Sequence, residues 1–118
     1  MCIFCKIVNR EIPSNLVKED ENFLAFHDIN PKAPVHVLVI PKAHYDSFND
    51  TPGDVIGKMG IFMQEVAKEI GIDQSGYRII SNIGDDGAQE VKHLHFHILG
   101  GTHLKWGHLA DADPKDFL

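Results

Sequence analysis

Long apolar runs are missing from this sequence. No stretch of the 118 residues approaches the roughly 20 consecutive apolar residues that span a bilayer. The opening residues, 1–6, also lack the apolar core of a secretory signal peptide. We therefore expect a cytoplasmic protein that has no membrane partner.

Clusters of basic residues are missing as well. The net charge is −6, and the lysines and arginines are scattered along the chain. Proteins that bind nucleic acids usually carry a basic face, because lysine and arginine neutralise the phosphates. We expect no nucleic-acid partner, and a phosphate-bearing substrate should be one small molecule held by a few local donors.

Cysteine is scarce, and its two copies lie close together at C-x-x-C spacing, as Cys2 and Cys5. In a reducing compartment this spacing favours metal ligation or redox chemistry over a structural disulfide. The spacing alone is a weak signal, because a free cysteine is also a common small buried residue.

The length and the hydrophobic pattern indicate a single domain, residues 1–118, of mixed α and β structure. The clearest element is a helix over 54–70, whose apolar residues recur at spacings of three and four. The shorter elements are a short helix or irregular turn over 2–9, strands over 23–28, 35–40, 77–82 and 91–99, and extended chain over 104–109. The connections are mostly short, which favours hairpins and an antiparallel sheet.

Histidines and apolar residues alternate over residues 93–99. Successive side chains of a strand point to opposite faces, so His93, His95 and His97 should share one face while the apolar residues between them face the core. A neutral imidazole can attack phosphorus, and a neighbouring histidine can bind phosphate oxygens or deliver a proton. Two other readings stay open: a sheet face that is merely rich in histidine, and a zinc site made by two of the histidines.

This alternation resembles the signature of the histidine triad family, His-φ-His-φ-His-φ-φ, in which φ is apolar. Residues 26–29, 34–42 and 87–91 and the two glycines after the triad are similar to its Hint branch, the purine nucleoside phosphoramidases. The resemblance runs from about residue 4 to residue 106. It implies an α+β fold, with a five-stranded antiparallel sheet and one long and one short helix per protomer. It also implies a homodimer through which the sheet continues, and the tail 107–118 is expected to be extended or to dock on the partner.

The resemblance also implies roles for individual residues. His95 matches the nucleophile that becomes nucleotidylated, His97 matches the histidine that hydrogen-bonds the phosphate, and His36 and His93 match supporting histidines. Asp28 matches the carboxylate that accepts both ribose hydroxyls. The other matches are Phe4, Ile7, Phe26 and Ile29 for the apolar walls around the purine, and Asn82, Ala88, Gln89 and Glu90 for the region of the phosphate and leaving group.

Several of these residues have ordinary structural explanations too. Asp28 suits a turn, and Phe26 and Ile29 suit a hydrophobic core. His36 has apolar neighbours and suits a buried histidine with a satisfied hydrogen bond. The loop 84–89 fits a cradle of backbone N–H groups for phosphate, but a plain hairpin loop explains it as well.

Two positions depart from the family pattern. Ala88 stands where the familiar loop has a second glycine, so its backbone angles must be open to a residue that has a Cβ. Glu90 stands where many Hint proteins have a serine near the leaving-group nitrogen. An ionised carboxylate only accepts hydrogen bonds, so Glu90 would act there in its protonated form or favour a leaving group with an ammonium, such as lysine.

The resemblance extends the C-x-x-C signal to a metal site. Some histidine triad proteins and the related galactose-1-phosphate uridylyltransferases bind zinc with two such cysteines, a histidine after the second strand and the first triad histidine. Here the ligands would be Cys2, Cys5, His44 and His93. Four ligands of this type form a closed, structural site. The resemblance thus implies a structural zinc, with no catalytic metal and no organic cofactor.

The function that the resemblance implies is hydrolysis of nucleoside 5′-phosphoramidates through a covalent nucleotidyl-His95 intermediate. Its substrates would be adenosine or guanosine phosphoramidates, or aminoacyl adenylates of the lysyl-AMP type. The alternatives are a dinucleoside polyphosphate hydrolase, a non-catalytic purine nucleotide-binding regulatory module, and a zinc-binding interaction protein. Met59, Phe62 and Met63 would lie at the homodimer interface, although a helix face buried within one protomer explains them equally well.

Overall fold

A five-stranded antiparallel sheet organises the protein in this computed structural model, which describes residues 2–113 and 115. The order in the sheet is β1-β2-β3-β5-β4, and each neighbouring pair is antiparallel. The elements are α1 (Ile3–Val8), β1 (Leu16–Glu19), β2 (Phe23–His27), β3 (Val35–Pro41), a 3-10 turn (Phe48–Asp50), α2 (Gly53–Glu69), β4 (Arg78–Ile80) and β5 (Phe96–Gly100). The expected α+β fold with one long and one short helix is confirmed.

The two helices cover opposite faces of the sheet. On the α2 face, the buried stripe of the helix packs against alternate residues of β2, β3 and β5; its members are Met59, Phe62, Met63, Val66 and Ala67. Because the first three are at most 6% exposed within one protomer, the intramolecular explanation of these residues is correct. On the α1 face, a smaller cluster consists of Phe4, Leu24, Phe26, Leu38 and Ile40.

The hydrophobic pattern does not reveal β1. This strand lies at the edge of the sheet, and of its residues only Val17 packs against the main core. Conversely, residues 104–109 form no strand. That segment is attached to β4 by Arg78, whose Nη1 donates to the carbonyl of Lys105 at 3.0 Å and whose guanidinium lies 5.4 Å from the ring centre of Trp106.

The strand predicted over 91–99 is shorter in the structure, because the two strands that pair with it do not extend beside residues 91–95. β4 stops at Ile80, and β3 pairs with β5 only as far as Val39, opposite Phe96. β5 therefore begins at Phe96, and the prediction of a strand over the five residues before it is wrong.

Residues 91–95 keep the alternation of a strand without its ladder. The N–H of Leu94 donates to the carbonyl of Tyr45 at 2.7 Å, so a loop residue replaces the missing strand neighbour. Leu94 is buried in the core on the α2 face. His93 and His95 are buried on the opposite side, where both rings contact Phe4. The shared face predicted for the histidines is therefore present.

Residues 107–113 of the tail are exposed and form no helix or strand. Docking of this tail on a partner stays a prediction, and its residues 114 and 116–118 lie outside the described ones. Among the described residues, no helix combines the length and apolarity needed to cross a bilayer.

Truncating the buried stripe of α2 should destabilise the fold. Met59 is fully buried, so Met59→Ala should lower the free energy of unfolding by about 2–5 kcal/mol, because it leaves a cavity. The exposed neighbour Lys58 supplies the control, and Lys58→Ala should change this free energy by less than about 0.5 kcal/mol. Urea unfolding followed by circular dichroism measures both, and equal effects would contradict the packing of this stripe.

Candidate active site

Four histidines lie together on the α1 face of the sheet. The ring centroids of His95 and His97 are 5.1 Å apart, as are those of His97 and His36. His36 reaches His97 from the neighbouring strand, because β3 and β5 place the two residues diagonally. His93 precedes His95 by two residues and is fully buried. The structure thus brings together all four histidines that are predicted for the catalytic site.

A hydrogen bond fixes the protonation of the His95 ring. Nδ1 of His95 lies 2.8 Å from the carbonyl oxygen of His93. A carbonyl only accepts, so Nδ1 must carry the proton. In the neutral ring, Nε2 then keeps its lone pair, which is the requirement for a nucleophile.

Ser81 holds the main chain of His95, and sequence reasoning missed it. Its hydroxyl donates to the carbonyl of His95 at 2.8 Å. Ser81 follows Ile80, the last residue of β4, so a side chain continues the support where the backbone ladder ends. A single serine after a short strand is no signal in the sequence.

A chain of hydrogen bonds sets the protons of His36 and His97. The backbone N–H of Lys32 donates to Nδ1 of His36 at 3.0 Å, which requires that nitrogen to be unprotonated. The proton of neutral His36 is therefore on Nε2, 2.8 Å from Nδ1 of His97. If His97 accepts there, its own proton lies on Nε2, where it can be donated to a ligand.

Burial lowers the pKa of His36, His93 and His97. For His36, the Asp28 carboxylate opposes this lowering of the pKa. The pKa of His97 falls to about 4 because of burial and the repulsion from charge on His95 and His36. At neutral pH His97 therefore acts through a hydrogen-bond donor and without a positive charge.

Asp28 has a structural role and also faces the histidines. Its Oδ1 accepts the backbone N–H of Asn30 at 2.8 Å, which is the turn contact that its sequence position suits. Its Oδ2 lies 3.3 Å from Nε2 of His36. Asp28, His36 and His97 have their ligand atoms within 4.8 Å of one another, and these hydrogen bonds account for that closeness.

The predicted purine walls separate into buried and exposed residues. The ring centroid of Phe4 lies 5.1 Å from that of His95 and 5.8 Å from that of Phe26. Phe26 is core, and Ile7 packs against the same cluster. Ile29 is 90% exposed, so the core explanation fails for this residue.

The loop 84–89 is closed by its own hydrogen bonds. The N–H of Ala88 donates to the carbonyl of Asp85, and the N–H of Gln89 donates to that of Gly84, both at 3.0 Å. These groups are used within the turn, which favours the plain-loop explanation over a phosphate cradle. Ala88 adopts the left-handed conformation, with φ 60°. This conformation is strained for a residue that has a Cβ, which is the difficulty expected when alanine replaces glycine here.

The side chain of Gln89 joins three segments of backbone. Its Oε1 accepts the N–H of Gly84 at 3.0 Å, and its Nε2 donates to the carbonyls of Asp46 at 2.6 Å and Val91 at 3.0 Å. The amide thereby braces the chain that enters the triad. The two other predicted residues of this region are Asn82, partly buried just after β4, and Glu90, exposed on the surface.

The predicted metal ligands converge in one cluster. Nδ1 of His44 and Nδ1 of His93 are 3.2 Å apart, and each lies 3.3–3.6 Å from the sulfur atoms of Cys2 and Cys5. With metal–sulfur bonds of about 2.3 Å and metal–nitrogen bonds of about 2.0–2.1 Å, ligand atoms of a tetrahedral zinc lie roughly 3.3–3.8 Å apart. The donor types and their spacing therefore fit the ion.

The outer nitrogens of both histidine ligands also have partners. Nε2 of His44 donates to Oδ1 of Asp46 at 2.9 Å, and Nε2 of His93 donates to the carbonyl of Pro41 at 2.8 Å. In the neutral rings Nδ1 is then unprotonated and faces the sulfur atoms, as a metal ligand does. Sequence reasoning missed Asp46, although its place two residues after His44 is a weak signal.

Comparison with known proteins finds matches over most of the chain. The family model for the HIT domain matches residues 9–104. A histidine triad protein from Clostridium difficile is 54% identical, with a TM-score of 0.87 over 91% of this chain and 96% of that one. A HIT family hydrolase from Legionella pneumophila Philadelphia 1 is 43% identical, with a TM-score of 0.85 over 90% and 97%. A histidine triad nucleotide-binding protein from Candida albicans is 34% identical, with a TM-score of 0.81 over 99% and 89%.

The low pKa of His97 should make the fold sensitive to acid. The folded protein holds this pKa at about 4, below the ordinary value of 6.5, so the unfolded chain binds more protons between these values. The free energy of unfolding should therefore fall as the pH is lowered from about 6.5 to about 4. His97→Gln should reduce that slope and leave the part due to His36 and His93. An NMR titration in which His97 has its midpoint near 6.5 would contradict the assignment.

Proposed function

The chain belongs to the histidine triad (HIT) family, and on that basis we propose that it is a hydrolase of nucleoside 5′-phosphoramidates. The observation that carries the proposal is the hydrogen bond from Nδ1 of His95 to the carbonyl of His93, which places the lone pair of the neutral ring on Nε2. The Legionella relative is named a hydrolase and the Candida relative a nucleotide-binding protein, which supports a nucleotide substrate.

The reaction proceeds in two displacements at phosphorus. Nε2 of His95 attacks the α-phosphorus, the P–N bond to the amine breaks, and the amine leaves with a proton taken from solvent. Water then attacks the same phosphorus, breaks the bond to Nε2 and returns a proton to solvent. The products are an amine and a nucleoside monophosphate, and His95 returns to its starting state.

His97 stabilises the charge that develops on the phosphate oxygens. Its Nδ1 is occupied by His36, so Nε2–H is the group that remains for a phosphate oxygen. With a pKa near 4 it carries little positive charge at neutral pH, so it acts as a hydrogen-bond donor and does not protonate the amine. His36 positions this ring and has no contact with phosphate in the proposal.

The nucleoside lies between the turn after β2 and the first turn of α1. Ile29 offers an exposed apolar surface there, and Phe4 and Ile7 lie on the side of α1. Asp28 binds the ribose hydroxyls, with its Oδ2 shared between them and His36. An apolar base and two vicinal hydroxyls match this combination of surfaces.

Loss of the His95 imidazole should abolish turnover. His95→Ala should lower kcat for adenosine 5′-phosphoramidate by about a thousandfold or more, because no covalent intermediate can form. Wild type stripped of metal should keep its activity, and mass spectrometry of quenched wild type should detect a nucleotidyl group on His95.

The exposed His103 supplies the matched control, and His103→Ala should behave like wild type. Circular dichroism would confirm that His95→Ala is folded. Equal rates of phosphoramidate hydrolysis in wild type and His95→Ala would contradict the proposal. Faster turnover of a dinucleoside polyphosphate than of the phosphoramidate would favour that alternative substrate.

A structural zinc is a second part of the proposal. Cys2, Cys5, His44 and His93 would hold it, and when bound it would tie the N-terminal helix to the chain that enters the triad. The spacing of the four donor atoms and the unprotonated Nδ1 atoms support this site.

The reduced protein should bind one zinc ion per chain. Cys5→Ser and His44→Ala should each lower the bound zinc after dialysis by about tenfold or more, since each removes one of four ligands. His103→Ala again serves as the control. Elemental analysis measures the ion, and cobalt substitution should give the absorption of a tetrahedral thiolate site. Wild type without zinc under reducing conditions would overturn this part.

A homodimer with a continuous sheet completes the proposal. β4 is an edge strand, and its Ile79 is 43% exposed. Trp106, whose ring lies 5.4 Å from the guanidinium of Arg78 in that strand, is 78% exposed, and Leu109, three residues further along the chain, is 79% exposed. An unpaired edge next to exposed apolar side chains is a surface that a second copy can cover.

A further inference from the structure

His93 takes part in two clusters at once. Its buried ring places Nδ1 3.3 Å from Sγ of Cys2 and 3.6 Å from Sγ of Cys5. Its main-chain carbonyl accepts the hydrogen bond from Nδ1 of His95 at 2.8 Å. Contacts that hold the ring of His93 therefore also hold the carbonyl that sets the Nδ1–H tautomer of the neutral His95 ring.

Phe4 is a second link between the cysteines and His95. It lies between Cys2 and Cys5 in the chain, and its ring meets that of His95 edge to face at 5.1 Å. Cys2 caps α1, because its Sγ accepts the N–H of Cys5 at 3.2 Å. A change in the positions of the two sulfur atoms would therefore reshape the turn that carries Phe4.

The two thiols are close enough to be joined, and reagents can reach them. Both cysteines are free and partly exposed, and their sulfur atoms belong to a cluster whose members lie within 4.8 Å of one another. A disulfide needs an S–S distance of about 2.05 Å. Forming it would draw the sulfur atoms together and remove the S–H groups that can donate to Nδ1 of His93 and of His44.

We propose that Cys2 and Cys5 are a reversible thiol–disulfide site, oxidised by low-molecular-weight disulfides, and that this modification slows the reaction at His95. The thiolate of Cys2 attacks one sulfur of the small disulfide and releases one small thiol. The thiolate of Cys5 then attacks Sγ of Cys2, forms the Cys2–Cys5 bond and releases the second small thiol. The cysteine pair loses two electrons and two protons, and the small disulfide gains them.

A metal ion and the disulfide compete for the same sulfur atoms. In the reduced protein without metal, the thiols still contact Nδ1 of His93, so the geometry at His95 should persist. The disulfide alone removes the S–H donors to Nδ1 of His93 and moves the turn that carries Phe4. The effect on rate rests on the proposed function, whereas the disulfide and its effect on the His95 ring do not.

The experiment compares three states of the full chain: reduced with zinc, reduced without zinc, and oxidised with glutathione disulfide. The oxidised state should lose two hydrogen atoms by intact mass and two thiols by alkylation, and zinc should slow this change. Hydrolysis of adenosine 5′-phosphoramidate should be equal in the two reduced states. In the oxidised state kcat should be lower by about tenfold, because the nucleophile is misplaced, and dithiothreitol should restore it.

The double variant Cys2→Ser/Cys5→Ser is the control, and glutathione disulfide should leave its rate unchanged, whatever that rate is. Nitrogen NMR of the His95 ring gives a second readout. The Nδ1–H tautomer should predominate in the reduced protein and lose population in the disulfide form.

Mixed glutathione adducts without a Cys2–Cys5 disulfide would overturn the inference, as would a disulfide that changes neither kcat nor the His95 tautomer. If no state hydrolyses the substrate, the proposed function fails. The mass and nitrogen measurements then still decide whether the disulfide forms and reaches His95.

Discussion

The side-chain alternation of residues 93–98 is the constraint on which both faces of the sheet depend. Leu94, Phe96 and Ile98 bury themselves under α2, and this packing turns the imidazoles between them to the α1 face. The backbone ladder covers only the second half of this segment, from Phe96 onward. His93 and His95 precede this ladder, so burial of their apolar neighbours sets the direction of these two side chains.

Main-chain hydrogen-bond partners give the similar rings of the four histidines different chemical roles. His95 meets a carbonyl and keeps a free Nε2, whereas His36 meets a backbone N–H and passes a proton toward His97. His93 turns Nδ1 to the sulfur atoms because the carbonyl of Pro41 accepts from its Nε2. Equal side chains thus differ through fixed acceptors and donors of the main chain.

The sequence was sufficient for features that depend on pattern. The period of α2 and the alternation at the triad follow from residue types and spacing, whereas the four donors of the predicted metal site were implied by the family resemblance. Features that depend on where neighbouring strands end in space could not be derived from the sequence. The start of β5 at Phe96 follows from where β3 and β4 stop. Ser81 has a role only because folding brings its hydroxyl to the carbonyl of His95, which lies before the strand ladder begins. The inner hydrogen bonds of the loop 84–89 likewise exist only once Gln89 has folded back.

The main chain and the side chain of His93 have separate roles: the carbonyl accepts from His95, and the imidazole contacts the cysteines. A carbonyl is present in every amino acid, so a substitution at position 93 cannot delete the acceptor for His95 and can only displace it. The imidazole of His93 is not needed as that acceptor, and it contacts the sulfur atoms of Cys2 and Cys5 instead. A substitution at position 93 can accordingly remove one donor of the proposed metal site while the main-chain acceptor for His95 stays in place.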